Sequence, residues 1–126
     1  MSAGLDTIGT PLRALLVLIL AAAATPAYAA DGERLYADEC GGCHSLDAAS
    51  TADGPSLKGL VWRRVAGLPD FTYTSALKSI GGSWSPGRLD EFLKGAQVLA
   101  PGSSMYFTIE DPAERKAIIA YLKSVK

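Results

Sequence analysis

The chain has two cysteines and one histidine, and all three lie within residues 40–44, whose sequence is CGGCH. Cys40 and Cys43 are three residues apart, so on a helical turn both thiols lie on one face and can form thioethers to one porphyrin edge. The imidazole of His44 follows directly and can ligate the iron. A C-x-x-C-H run is typical of c-type haem attachment. The pattern therefore predicts one covalently bound haem c.

Two other uses of the cysteine pair require sequence features that this chain lacks. A third use would leave His44 without a role. A thioredoxin-like redox pair is expected beside a β-α-β pattern, but the chain has almost no strand pattern. A structural zinc site needs four ligands, usually in two pairs, and this cluster offers three. A disulfide is possible in an oxidising compartment, but it would not explain His44. Haem attachment accounts for all three residues.

Met105 is the candidate for the second axial ligand. The chain has only one other methionine, the initiator Met1, and no second histidine. A lone methionine is more often a filler of the core, but Met105 follows a Pro-Gly turn and the haem motif creates a need for a sixth ligand. Thioether sulfur is a soft donor. A His/Met pair is suited to electron transfer and raises the reduction potential.

The elements that must position these residues are helices. Apolar spacing and capping residues predict helices at residues 31–40 and 86–94 and from residue 112 onward, with a short one at 74–79. Asp31, Ser85 and Asp111 are the predicted N-caps, and Pro follows the last two at the first helical position. Gly95 ends the middle helix. No stretch alternates like a strand for long, so the predicted class is all-α.

The first 29 residues resemble a cleaved secretory signal peptide. Arg13 precedes an apolar run at residues 14–24, Pro26 follows it, and residues 27–29 form a small-x-small site. The run is well short of the roughly 20 residues that a membrane span needs. We expect cleavage after Ala29, a periplasmic location and a single domain at residues 30–126. An uncleaved N-terminal anchor is the alternative.

Charge and size restrict the classes of function. Lys and Arg number 12, Asp and Glu number 13, and the net charge is −1. Loss of residues 1–29 would remove one basic and one acidic residue, so the domain stays near neutral. No basic run suggests nucleic acid. So small a domain has difficulty burying enough apolar surface to fold without a disulfide, a metal or another stabilising group. A haem would supply that stabilisation.

The ordered set of motifs resembles a class I cytochrome c, close to the mitochondrial and bacterial c2-type proteins. The similarity covers residues 30–126. It rests on the haem motif, on Gly54-Pro55-x-Leu57-x-Gly59, on Trp84, on Pro101-Gly102-x-x-Met105 and on the final Ala120-Tyr121-Leu122-Lys123. The resemblance implies a small fold in which the N- and C-terminal helices cross and short helices and loops wrap around one haem.

The resemblance also implies roles for further residues. Pro55 stands where the family's backbone carbonyl holds the proximal histidine. Four residues stand where the family hydrogen-bonds or shields the haem propionates: Arg63, Tyr73, Trp84 and Ser103. Two positions depart from the family. Phe92 replaces a frequent tyrosine near the methionine sulfur, and Leu77 replaces a frequent asparagine, so both remove polar partners from the methionine side.

The expected function is that of a soluble, exported, monomeric carrier of single electrons and not an enzyme. Its partners would be membrane or periplasmic redox proteins in transient contacts, with no small-molecule substrate. Two alternatives remain. A haem enzyme or gas sensor would use a displaceable methionine, which the changes at Leu77 and Phe92 favour. A tethered electron-entry subunit of a larger redox complex would use the same haem.

Overall fold

The computed structural model describes residues 26–126. This part of the chain contains five helices: α1 (Pro26–Glu39), α2 (Ser75–Ile80), α3 (Pro86–Lys94), α4 (Ala96–Leu99) and α5 (Pro112–Ser124). The one β-type pairing in residues 26–126 is an isolated antiparallel bridge between Arg64 and Ser83. The all-α prediction is confirmed for this part of the chain.

Three helices begin after a capping side chain, and for α3 and α5 it is the N-cap predicted from the sequence. The side-chain oxygen of Thr74 accepts a hydrogen bond from the backbone N–H of Leu77, at the start of α2. Ser85 caps α3 in the same way, and Asp111 caps α5 by accepting from the N–H of Ala113 at 2.8 Å. Each cap satisfies an N–H that has no partner within its helix, so capping chemistry sets these boundaries.

Two helix boundaries differ from the sequence prediction. Helix α1 is already helical from Pro26, the first described residue, rather than from Asp31, and the alanines ahead of Asp31 are strong helix formers. Helix α4 follows Gly95, in a stretch for which the sequence predicts no helix. The predicted signal peptide, residues 1–29, lies mostly outside the described residues, and its proposed cleavage point falls within α1.

The terminal helices α1 and α5 cross at Gly32. A Cβ on Gly32 would lie 2.8 Å from the Cβ of Tyr121 and would overlap the carbonyl oxygen of Ala117. Only a glycine lets the two backbones approach this closely. One turn further on, the rings of Tyr36 and Tyr121 pack 5.7 Å apart at a tilt of 49°. The crossing predicted from the resemblance is confirmed, and it brings the end of α1 to the core.

The core packs α1, α3 and α5 around a central cavity. Ile118 on α5 is fully buried, and Leu89 and Leu122 are each 3 % exposed. These apolar side chains also line the cavity, so the helices form its wall as well as the core. Within residues 26–126, no helix combines the length and the apolar character needed to cross a bilayer.

Candidate haem site

The cysteine pair and His44 lie on the turn that continues from the end of α1. The N–H of Cys40 donates to the carbonyl of Tyr36 at 2.8 Å, so the helical path extends to this residue. The N–H groups of Cys43 and His44 both donate to the carbonyl of Cys40, at 3.1 and 3.0 Å. The two thiols therefore stand one turn apart on one segment. Cys40 is buried and Cys43 is exposed.

The pKa of Cys40 does not suit a redox dithiol. Burial, together with a smaller contribution from the carboxylate of neighbouring Glu39, raises the pKa of this thiol to about 11. Thiols that exchange disulfides have lowered pKa values, because the thiolate is the nucleophile. The environment of Cys40 therefore favours a structural or covalently modified sulfur.

The ring of His44 is held in one orientation and one tautomer. Its Nδ1 lies 2.8 Å from the carbonyl oxygen of Pro55. Because a carbonyl only accepts hydrogen bonds, Nδ1 carries the proton and Nε2 keeps its lone pair. Burial lowers the pKa of His44, although the bond to Pro55 acts in the opposite direction. The neutral imidazole that metal ligation requires is thus the form favoured here.

Gly54 leaves room for this imidazole. A Cβ built on Gly54 would lie 2.6 Å from both Cε1 and Nδ1 of His44. The loop backbone therefore passes against the ring with no side chain between them. From the other side, the hydroxyl of Tyr36 donates to the carbonyl of His44 at 3.1 Å. The position of His44 is fixed from the loop and from α1.

Met105 lies in the loop between α4 and α5 and is half-buried. Its N–H donates to the hydroxyl oxygen of Ser103 at 3.2 Å. Ser103 itself is 3 % exposed, and its N–H donates to the carbonyl of Ala100 at 2.9 Å. The loop that carries the thioether is therefore anchored rather than free to turn.

A single cavity brings these groups together. Its volume is about 280 Å³, far more than the roughly 30 Å³ of one water in the liquid. All nine residues that the sequence predicts as haem-binding line it: Cys40, Cys43, His44, Pro55, Arg63, Tyr73, Trp84, Ser103 and Met105. Most of the remaining wall is apolar. The cavity suits a large apolar ligand that carries a few polar substituents.

The wall also offers a buried cationic donor. Arg63 donates from Nη1 to the carbonyl of Lys58 at 3.0 Å and from Nη2 to that of Ser56 at 2.8 Å. Its Nε is buried and has no hydrogen-bond partner within residues 26–126. A buried N–H without a partner is uncommon, and a carboxylate is the acceptor that suits a guanidinium. The residues therefore fit a haem, whose propionates carry such carboxylates.

Aromatic rings form part of the cavity wall. Trp84 is 6 % exposed and its ring lies 5.0 Å from that of Phe92. Tyr73 is buried, and the ring of Phe71 meets its edge at 5.0 Å. Leu77 also lines the cavity. The two positions that depart from the family thus face the same space as Met105 and present no polar atom to it.

Sequence reasoning gave no site role to several residues that line or support the cavity. Leu60, Phe71 and Tyr106 line it. The spacing of Leu57 and Leu60 is an apolar signal that could have indicated the first of these. Residues 100–111 between α4 and α5 form the methionine loop. Gln97 and Arg115 support this loop by hydrogen bonds to backbone carbonyls, and no sequence pattern marks such contacts.

Similarity to known proteins agrees with this site. A family model described as Cytochrome c matches residues 29–126. The cytochrome c-type cyt cy of Rhodobacter capsulatus is 36% identical over 95 residues, which are 75% of this chain and 47% of that protein. The chain thus spans about half the length of that relative. Cytochrome c2 of Agrobacterium tumefaciens is 36% identical over 98 residues, covering 74% of this chain and 87% of the relative.

A solved structure has the same fold. Cytochrome cH from Methylobacterium extorquens superposes with a TM-score of 0.70 at 35% identity, covering 76% of this chain and 97% of that one. The family match includes the cysteine pair, His44 and Met105. The chain therefore belongs to the cytochrome c family and is an electron-carrying cytochrome with covalently bound haem c.

Proposed function

We propose that the chain is an exported single-haem carrier in which His44 and Met105 are the axial ligands. The observation that supports this most is the convergence of both cysteines, the sole histidine and Met105 on one apolar cavity. When bound, the haem iron supplies a couple that takes up and releases one electron. The protein makes and breaks no substrate bond, so its residues act by holding, orienting and excluding water.

Each residue has a defined task in this proposal. Cys40 and Cys43 hold the porphyrin edge through thioethers. The carbonyl of Pro55 fixes the imidazole of His44 and raises its basicity. Arg63 offers a buried donor to an acidic group, and Trp84, Tyr73 and Ser103 close the cavity beside it. The apolar wall disfavours the additional charge of the oxidised state, an effect in the same direction as thioether ligation.

Spectroscopy of the matured holo-protein tests the ligand set. We expect a far-red charge-transfer band in the ferric protein, slow carbon monoxide binding in the ferrous protein, and loss of both properties in Met105→Ala. Val98→Ala is the matched control, because Val98 is 87 % exposed and close to Met105 in sequence. A wild-type protein without the band, binding carbon monoxide as fast as Met105→Ala, would contradict the proposal.

A displaceable methionine is the second candidate. Phe92 and Leu77 give the methionine side of the cavity no polar side-chain partner for the sulfur, which favours a haem enzyme or gas sensor. The same carbon monoxide measurement separates the two. Rapid binding by the wild type in native buffer would favour the sensor, while slow binding supports the carrier.

Export is proposed from residues 1–29, with cleavage after Ala29 and a periplasmic, monomeric product. The partners would be membrane or periplasmic redox proteins in brief contacts. Because the carrier is nearly neutral, long-range electrostatic attraction between it and a partner would be weak. N-terminal sequencing of the purified protein tests the cleavage. Recovery of intact Arg13 would indicate a retained anchor, and stable co-purification with a larger complex would indicate a tethered electron-entry subunit.

A further inference from the structure

Gln97 is the one long polar side chain of the short helix α4, and its amide contacts three backbone groups of the methionine loop. Its Nε2 donates to the carbonyl of Ser103 at 2.7 Å and to that of Met105 at 2.8 Å. Its Oε1 accepts from the N–H of Gly102 at 3.2 Å. The two donors and the acceptor of the amide are all used.

These partners also fix which way the amide points. Two of the three partners are carbonyl oxygens, which only accept, and the third is an N–H, which only donates. A flipped amide would place its oxygen against the carbonyls of Ser103 and Met105 and its nitrogen against the N–H of Gly102. Three mismatches would replace three hydrogen bonds, so the partner chemistry settles the orientation.

The backbone of Met105 is consequently held at both ends. Its N–H donates to the hydroxyl of Ser103 and its carbonyl accepts from Gln97. Gln97 belongs to a helix that is fixed to the core, since Ala96 at its start is 1 % exposed. A continuous set of contacts therefore runs from the core through α4 and Gln97 to Met105.

We propose that Gln97 is a positioning residue for Met105, which keeps the thioether in the cavity and slows its replacement by other ligands. The inference rests on the proposed role of Met105 as an iron ligand. Among the residues that the structure describes as lining the cavity, Gln97 is absent, so it acts through Met105 rather than by contact with the haem. Gln97 exerts this effect through the hydrogen bond that its Nε2 donates to the carbonyl of Met105.

Two substitutions separate the functions of this amide. Gln97→Ala removes the donor and the acceptor. Gln97→Glu keeps an oxygen for the N–H of Gly102 but sets a carboxylate against the carbonyls of Ser103 and Met105, where nothing can donate. Gly102 is exposed, so protection of its amide from hydrogen exchange depends on this bond to Gln97.

The test measures carbon monoxide association with ferrous holo-protein, the far-red ferric band and hydrogen exchange at Gly102. We expect carbon monoxide to bind about 10-fold faster in Gln97→Ala and at least as fast in Gln97→Glu, as loss of one or two hydrogen bonds predicts. Exchange at Gly102 should accelerate in Gln97→Ala only. Val98→Ala, which alters an exposed neighbour, should match the wild type in all three measurements.

The outcomes distinguish this inference from the proposed function. If wild type and Met105→Ala bind carbon monoxide equally fast, Met105 is not a ligand and the proposed function fails. If Met105→Ala is fast while Gln97→Glu remains as slow as wild type, the role of Gln97 is contradicted and the ligand set stands. Should Gln97→Ala fail to fold, the isosteric Gln97→Glu still decides the question.

Discussion

At Gly54 the loop backbone passes so close to the imidazole of His44 that no side chain fits between them. A Cβ there would lie 2.6 Å from two ring atoms, which is closer than carbon atoms approach without displacement. Either the ring or the loop must move in Gly54→Ala, and the ring is also tied to the carbonyl of Pro55. The effect of one methyl group is therefore transmitted to the proposed iron ligand.

We expect Gly54→Ala to destabilise the holo-protein by about 1–3 kcal/mol, the usual cost of overpacking. Urea unfolding followed at the haem absorption band measures this free energy. Gly42→Ala is the matched control, since a Cβ on Gly42 meets nothing within 4 Å although it lies nearer to His44 in sequence. Equal stability of the two variants would contradict the close approach at Gly54.

Asp70 joins two parts of the long connection between α1 and α2 and makes stability depend on acid pH. Its carboxylate accepts from the N–H of Ser50 at 2.8 Å and from the Ser50 hydroxyl at 3.1 Å. The backbone hydrogen bond from Ser50 is the largest cause that lowers the pKa of Asp70 below the ordinary 3.8. A lowered pKa in the folded state adds stability above the unfolded pKa, and this stability is lost as pH falls through the folded value.

The thermal midpoint of the wild type should therefore fall more steeply below about pH 4 than that of Asp70→Asn, which has no carboxylate to protonate. Thermal unfolding from about pH 6 to about pH 2 measures the difference between the two curves. Glu33→Gln, at an exposed position of α1, should follow the wild-type curve. Parallel curves for Asp70→Asn and wild type would show that the bonds from Ser50 do not favour the charged form.

At the scale of elements, Arg115 joins α5 to α3 and to the end of the methionine loop. Its Nε donates to the carboxylate of Asp90 at 2.8 Å, and its Nη1 donates to the carbonyls of Ile109 and Glu110 at 2.8 and 2.9 Å. The arginine side chain is 7 % exposed, whereas that of Asp90 is 45 % exposed. The hydrogen bond to the carbonyl of Ile109 is thus the buried part of this arrangement.

We expect Arg115→Ala to cost about 2–4 kcal/mol, because it leaves the buried carbonyl of Ile109 without a donor and Asp90 without its cation. Arg34→Ala is the control: Arg34 pairs with Asp38 at 3.4 Å with both side chains more than half exposed, and such pairs contribute about 0–1 kcal/mol. Urea unfolding of the two holo-proteins measures both values. Similar losses in the two variants would contradict the buried role of Arg115.

Helix starts could be predicted from the sequence where local chemistry decides them. Ser85 and Asp111 each precede a proline and each cap a helix, so the signal lies within four residues. Helix α4 could not be predicted, because its N-cap is Gly95 without a side-chain hydrogen bond and it has four residues. Its position is set by tertiary contacts, in particular the burial of Ala96.

Some residues of the site could likewise be predicted from the sequence, and others could not. The haem motif and the methionine loop are marked by rare residue types at fixed spacing, and the structure brings them to one cavity. The hydrogen bonds of Gln97 and Arg115 end on backbone carbonyls, whose positions depend on the path of a folded loop. Any long polar side chain could reach such groups, so residue type alone does not identify the partner.

At the scale of the whole molecule, the cavity lies where most domains of this size have their core. Without a ligand, the apolar side chains that line this cavity of about 280 Å³ would face water or empty space, and either situation costs stability. The total stability of a domain is only about 5–15 kcal/mol, and a small chain buries a smaller fraction of its surface on folding than a large one. Haem attachment should therefore decide whether the chain folds at all.

We expect the double variant Cys40→Ala with Cys43→Ala, made without haem, to show no cooperative thermal transition by circular dichroism. Wild-type holo-protein from an export-competent host should unfold cooperatively. The same wild-type gene expressed without haem-attachment machinery serves as the control, because it keeps both thiols and tests the haem rather than the substitutions. A cooperative, native-like transition in either haem-free chain would mean that the surrounding helices collapse into the cavity and form a core of their own.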